Sequence, residues 1–206
     1  MSKAKGMLLV ISGPAGAGKG TLIDLLRDWD DSFAFSVSCT TRGKRYYETD
    51  GKEYHFIDDE TFDRYIQEGA FLEYAVVHDH RYGTLLSEVE ERIAQGKSVI
   101  LDIDVQGGLA VMSKAPDCVS VFIYPPSFQD LRDHLHKRGS EGEEEIEKRL
   151  RNAHKEMQKM GEYQYLVLND ELERAFDRIK TIVCAERMRA SRYLPTVPEK
   201  RESIEN

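Results

Sequence analysis

The sequence predicts an α/β protein built on a doubly wound parallel sheet, and three observations carry that prediction. A five-residue apolar run, Met7 to Ile11, ends in a glycine-rich corner that opens into leucines at helical spacing. Further apolar runs of strand length then alternate with helical patterns along the chain, as expected of parallel strands joined by crossover helices. A stretch rich in Tyr, Arg, Asp and Gly, Ser36 to Thr84, breaks the alternation and reads as an inserted small subdomain.

Taken in order, Met7 to Ile11 is apolar without alternation, which suits a strand covered on both faces. It is too short for a signal-peptide core or a membrane span. The segment from Lys19 to about Asp28 carries Leu22, Leu25 and Leu26 and reads as a helix. Within the insert, short β-like pieces fall at Phe35 to Val37 and Tyr54 to Ile57, with a helix near Thr61 to Gln67. Leu86 to Gln95 is helical and stops at Gly96, and Ser98 to Ile103 is the next strand. Val119 to Tyr124 is a strand, Pro125 and Pro126 end it, and Ser127 with Asp130 caps a helix. Glu143 to Met160 is a long charged helix closed by Gly161, Tyr165 to Leu168 a strand, and Leu172 to about Arg192 a last helix. Lys137 to Glu145, with Gly139 and Gly142, has the composition of a mobile flap, and Pro195 to Asn206 that of a disordered tail.

Length and charge narrow the function classes. A chain of 206 residues supports one large domain. Its 29 basic and 37 acidic residues leave a net charge of −8, spread along the sequence. Bulk binding to nucleic acid or to an anionic membrane is therefore not expected. Any phosphate must be held by a local site. Cys39, Cys118 and Cys184 form no CxxC pair, so neither disulfides nor a zinc site is indicated, and a reducing cytoplasm fits.

Such a local site is visible. Gly13-Pro14-Ala15-Gly16-Ala17-Gly18-Lys19-Gly20-Thr21 lies between the first strand and the first helix. Small residues let successive backbone N–H groups point inward, the helix N-terminus adds partial positive charge, and Lys19 reaches terminal phosphates. The bland alternative, a flexible turn, leaves the lysine unexplained. A local site of this kind can bind a nucleotide, on a core of P-loop NTPase type. Gly20 stands where the strict motif places a magnesium-binding hydroxyl, so Mg2+ is expected to be held mainly by phosphates and waters, with Asp102 as the candidate protein ligand.

Asp102 and Asp104 close the run Val99-Ile100-Leu101-Asp102-Ile103-Asp104. Ligands of open α/β sheets bind at the carboxyl ends of strands, and residues i and i+2 share a strand face, so both carboxylates can look into one site. A helix cap or a solvated strand end is the plainer reading.

The insert adds Ser38, Arg42, Arg45, Tyr54, Glu73, Tyr82 and Thr84. Ile11-Ser12-Gly13-Pro14, Phe35-Ser36-Val37-Ser38-Cys39-Thr40-Thr41-Arg42, Gly51-Lys52-Glu53-Tyr54, Phe71-Leu72-Glu73-Tyr74-Ala75, Tyr82-Gly83-Thr84, Leu101-Asp102-Ile103-Asp104-Val105-Gln106-Gly107 and Lys148-Arg149-Leu150 stand here in the order they have in guanylate kinases. The chain resembles a bacterial-type guanylate kinase from Met7 to Arg192. The resemblance implies a single domain over 1–194, with a core of 6–35, 85–126 and 156–194, an NMP-binding insert of 36–84 and a small mobile lid of 127–155, followed by a tail of 195–206.

It also implies ATP-dependent phosphorylation of GMP, and of dGMP, by in-line transfer. In the family the residue matching Glu73 accepts the guanine N1–H and 2-amino group, and those matching Ser38, Thr84 and Asp104 complete base recognition. Adenine presents a lone pair at N1 and no 2-amino group, so it would leave that carboxylate unpaired, a mismatch worth about 10⁴-fold. The matches to Arg42, Arg45, Tyr54 and Tyr82 hold the GMP phosphate, Asp102 borders the same site, Lys19, Arg138 and Arg149 are the catalytic cations, and Asn169 lies on the adenine side. Read without the family, Arg42 and Arg45 are surface charges and Tyr54 and Tyr82 packing aromatics.

Three positions depart from the family pattern. His134 stands in place of a flap-region arginine, and Lys44 and Tyr47 in place of a proline and a glycine. The pairs His78-x-His80 and His134-x-His136 lack further ligands at metal spacing and read as surface histidines. Two other readings compete: a ribose-bisphosphate kinase of the same superfamily, which needs no base-reading set, and a non-catalytic guanylate-kinase-like peptide-binding module, which needs no intact P-loop. Oligomeric state is left open by the sequence.

Overall fold

The computed structural model describes residues 5–77, 79–137 and 143–193. Five parallel strands form the central sheet in the order β2-β7-β1-β8-β9, with β1 Leu8–Ser12, β2 Phe33–Phe35, β7 Ser98–Asp102, β8 Val119–Tyr124 and β9 Tyr165–Leu168. The strand that follows β1 in sequence and the one that precedes β9 lie on opposite sides of it. The order therefore reverses at β1, and the crevice at its carboxyl end is where this architecture binds ligands.

Alternation along β1 builds both sides of the core. Leu9 and Ile11 pack with Leu22, Ile23 and Leu26 of α1 (Lys19–Trp29) and with Ala175, Ile179 and Val183 of α7 (Leu172–Arg187). Leu8 and Val10 face the other way, towards Val89 of α3 (Leu86–Ala94) and Val111 of α4 (Val105–Lys114). A strand buried on both faces is an apolar run with no polar partner, which is what Met7 to Ile11 displays.

The region between β2 and α3 forms a second, four-stranded sheet in the order β4-β3-β6-β5, with β3 Cys39–Thr40, β4 His55–Phe56, β5 Phe71–Val77 and β6 His80–Leu85. Its small core is Cys39, Phe62 and Phe71, where Phe62 of α2 (Asp59–Gln67) stacks on Phe71 at 4.5 Å between ring centroids. The base of β5 rests on the core: Leu72 joins the α3/α4 cluster, and Lys114 Nζ donates to the Phe71 carbonyl at 3.0 Å. Across the nucleotide crevice, α5 (Phe128–Lys137) and α6 (Glu143–Met157) pack through Leu131, Leu135, Ile146 and Ala153.

Several elements differ from the sequence reading. The β-like piece expected at Phe35 to Val37 is strand β2, two residues earlier in its start, and belongs to the central sheet as its edge. The hairpin β5–β6 and helix α4 were not anticipated. The last helix ends at Arg187 and α6 at Met157, where a 3-10 turn at Met160–Glu162 takes over. The flap glycines Gly139 and Gly142 and the tail from Pro195 lie outside the described residues. No helix among the described residues is long and apolar enough to cross a membrane.

Candidate functional site

The glycine-rich corner caps the carboxyl end of β1. Gly18 sits at the N-cap of α1 in the left-handed region, φ 85°, and a Cβ there would collide with the Asn169 amide. Only glycine suits both demands. Asn169, at the end of β9, donates from Nδ2 to the Ala17 carbonyl at 2.8 Å and braces the loop from behind. Lys19 Nζ donates to the Gly13 carbonyl at 2.6 Å and the Pro14 carbonyl at 3.3 Å, folded back over the loop it serves. His134 of α5 places Nδ1 3.2 Å from the Gly16 carbonyl oxygen. Gly20 and Thr21 are exposed at the start of α1.

A cleft of about 400 Å³ opens in front of this corner, bounded across from Lys19 by Asp102, Ile103, Asp104 and Glu156. That is large enough for part of a nucleotide. Loss of water raises the Asp102 carboxyl, with Lys19 pulling it down. Glu156, from α6, is raised by burial, opposed by Lys19 and reinforced by the charge of Asp104. Both acids therefore look at the same lysine. They reach the cleft differently from the expected strand alternation: β7 ends at Asp102, while Asp104 is the N-cap of α4, its carboxylate accepting the Gly107 N–H at 2.7 Å. The plainer cap reading of Asp104 is thus also true.

The structure brings the insert's base-reading candidates together on one register. Glu73 of β5 pairs with Thr84 of β6, and the Thr84 hydroxyl donates to Glu73 Oε1 at 2.8 Å. Burial pushes the Glu73 carboxyl up, Thr84 lowers it, Asp104 raises it again and Lys114 lowers it. Asp104 therefore lies within electrostatic reach of Glu73 and on the wall of the Lys19 cleft. It joins the two half-sites.

The phosphate candidates cluster beside them. Arg42 lies 5.5 Å from the centre of the Tyr54 ring and beside Tyr82, whose ring is 5.8 Å from that of Tyr54. Arg45 shares their loop but turns its guanidinium to the Tyr47 hydroxyl at 2.8 Å. Ser38 lies half-buried between β2 and β3, its carbonyl accepting the His55 N–H at 2.9 Å. Arg149 is on α6, two helical turns before Glu156 and 3.9 Å from Glu145. Arg138, like His78, lies outside the described residues.

Three participants escaped the sequence reading. Glu48, 6% exposed, accepts from Arg42 at 2.6 and 3.0 Å and from the Arg45 N–H at 2.7 Å, and those bonds hold its carboxyl below the usual range. An acid three and six residues after two arginines, in an aromatic loop, was the available signal. Glu156 resembled the other solvated acids of its helix. Tyr163 is 7% exposed beneath the cleft, its hydroxyl against Ser12 Oγ without a well-formed hydrogen bond, and Gly108 leaves the room it needs. Among the described residues no group of three His, Cys, Asp or Glu side chains is placed to hold a metal.

Comparison with known proteins identifies the family. Residues 5–186 match the family model for guanylate kinase. The chain is 46% identical over 190 residues to the guanylate kinase of Caldanaerobacter subterraneus subsp. tengcongensis, covering 92% of each, and 48% identical over 188 residues to that of Thermotoga maritima, covering 91% of each. Among solved structures, the guanylate kinase of Anaplasma phagocytophilum superposes with a TM-score of 0.66 at 33% identity, over 92% of this chain and 90% of that one.

Proposed function

This chain belongs to the guanylate kinase family, and from that membership we propose that it transfers the γ-phosphoryl group of ATP to the phosphate of GMP, giving ADP and GDP, with dGMP accepted in the same way. The observation that carries the reading is the position of Asp104, shared between the Glu73–Thr84 pair and the Lys19 cleft.

Glu73 is a desolvated carboxylate with one oxygen occupied by Thr84. Its other oxygen needs N–H donors, and guanine supplies them at N1 and at the 2-amino group. Adenine's N1 lone pair would face it unpaired. Ser38 joins Thr84 and Asp104 around the base, while Arg42, Tyr54 and Tyr82 take the GMP phosphate, with Arg45 turning in from Tyr47. Guanidinium forks and phenol hydroxyls match phosphate oxygens.

On the donor side, the corner from Gly13 to Thr21 holds the ATP phosphates on backbone N–H groups. Lys19 exchanges the Gly13 and Pro14 carbonyls for β- and γ-oxygens, and Asn169 keeps the loop in shape. The acceptor oxygen on GMP is already anionic, so no general base is required. The loose transition state places charge on the equatorial oxygens, and Lys19 with Arg149 and Arg138 neutralises it, an arginine contribution of about 10³ to 10⁵ in rate.

The donor set at the cleft suits magnesium: Asp102 offers a carboxylate, Gly20 offers no hydroxyl, and an ion that keeps most of its ligands as water and phosphate oxygens needs little more. When bound, that ion would neutralise charge on the nucleotide phosphates. Three free cysteines support a reducing cytoplasm as the setting of the reaction.

Asp104→Asn tests the assignment, since asparagine caps helices as well as aspartate does. KM for GMP should rise and kcat fall together in a coupled assay of ADP formation. Unchanged kinetics would remove Asp104 from the site.

A further inference from the structure

A carboxylate outside the cleft ties the insert to the core. Glu88 lies in the first turn of α3, directly after the junction with β6, and its side chain is 16% exposed. Its Oε1 accepts the Val37 N–H at 3.0 Å and is held by Arg92 Nη2 at 2.9 Å and Nε at 3.2 Å. Its Oε2 is buried without a hydrogen bond, and the nearest partner charge is His55 Nε2 at 3.4 Å. Ser38 is caught between these contacts: Val37 on one side is bonded to Glu88, and the Ser38 carbonyl on the other accepts the N–H of His55, whose ring returns to Glu88. The path from α3 through Val37, Ser38 and His55 back to α3 is closed.

We propose that Glu88 is a positioning residue for bound GMP, fixing Ser38 in place through Val37 on one side and His55 on the other. The inference rests on the assignment of Ser38 to GMP. The Val37 N–H is held by a carboxylate oxygen that the Arg92 guanidinium keeps aimed at it, a charge-assisted bond stronger than one between neutral groups. The other charged or titratable groups facing the pair are Glu91 and Arg92 of α3, and Asp50 and Cys39 of the insert. Arg92 is committed to Oε1, and burial followed by the charge of Glu88 pushes the Cys39 thiol up to about 11, so it stays neutral.

The test uses the full chain, with KM for GMP and for ATP measured in the wild type and in E88Q, H55N and S38A. E88Q should raise KM for GMP about tenfold and leave KM for ATP within about twofold, a split that general destabilisation would not produce. H55N, which removes the ring that returns to Glu88, should raise KM for GMP by a smaller factor. S38A guards the premise by raising KM for GMP. If S38A raises it while E88Q does not, or E88Q moves both KM values together, the proposal is overturned; an unchanged S38A overturns the assignment of Ser38 to GMP and the proposal with it. Should E88Q fail to fold, H55N decides, and a KM for GMP unchanged in it overturns the proposal.

Discussion

The proposed donor cradle and the proposed acceptor reader of this molecule are built by opposite means. The cradle is a run of nine consecutive residues, Gly13 to Thr21, whose working groups are backbone N–H donors fixed by the end of β1 and the start of α1. The reader is made of side chains from Ser38 to Asp104, drawn from the link between β2 and β3, the arginine loop, β5, β6 and the cap of α4. The cradle concentrates positive potential locally in a chain of net charge −8 and has little power to choose among nucleoside triphosphates. The reader holds a desolvated carboxylate, which is costly in the empty protein and selective when a base arrives. Binding strength and choice are thus separated in space, and Asp104 is where they meet.

The largest break in that division should come from Lys19→Ala. Loss of the cation that follows charge onto the equatorial oxygens should lower kcat by about 10² to 10³ or more, with KM for GMP nearly unmoved in steady-state assays.

Glu73→Gln should act on the opposite half, raising KM for GMP about 10²-fold while the ATP affinity of the free protein holds. Its effect on stability should have the reverse sign. Burial raises the Glu73 carboxyl, so the native state is favoured below the ordinary carboxylate pKa and loses that contribution as pH rises through the raised value. The amide removes this loss, and thermal unfolding at pH 7 to 8 should show E73Q at least as stable as the wild type. A clear drop in Tm would mean that Glu73 serves the fold and not the base.

A smaller effect is expected at Glu48→Gln. Glu48 holds Arg42 in place through two charge-assisted hydrogen bonds, so the variant should raise KM for GMP about tenfold without touching ATP. Equal changes in both KM values would show that the arginine loop also serves the donor side.

The two halves were unequally legible in the sequence. The cradle could be read because an unalternating apolar run, four glycines and a lysine lie close together in the sequence and have one physical explanation together. The reader could be assembled only through its likeness to a family, since a lone Glu73 or Tyr54 is indistinguishable from surface charge or packing. Strand β2 was misplaced because three residues carry no period, and pairing with β7 is what puts them in the central sheet. Helix α4 was missed because Gly107 and Gly108 are poor helix formers; the Asp104 cap and the close fit of Gly108 against Ser12 and Tyr163 outweigh their propensity. Glu48, Glu88 and Glu156 looked like solvated acids, and only the folded chain shows which cations and N–H groups they meet.

The central claim is that a buried carboxylate in the insert chooses the base while the glycine corner supplies the phosphoryl group. It is tested most directly by kcat/KM for GMP, AMP, CMP and UMP with ATP as donor, measured on the wild-type chain. The account predicts turnover of GMP favoured over AMP by about 10⁴-fold or more. Comparable turnover of AMP, or none of GMP at millimolar concentration, would contradict it.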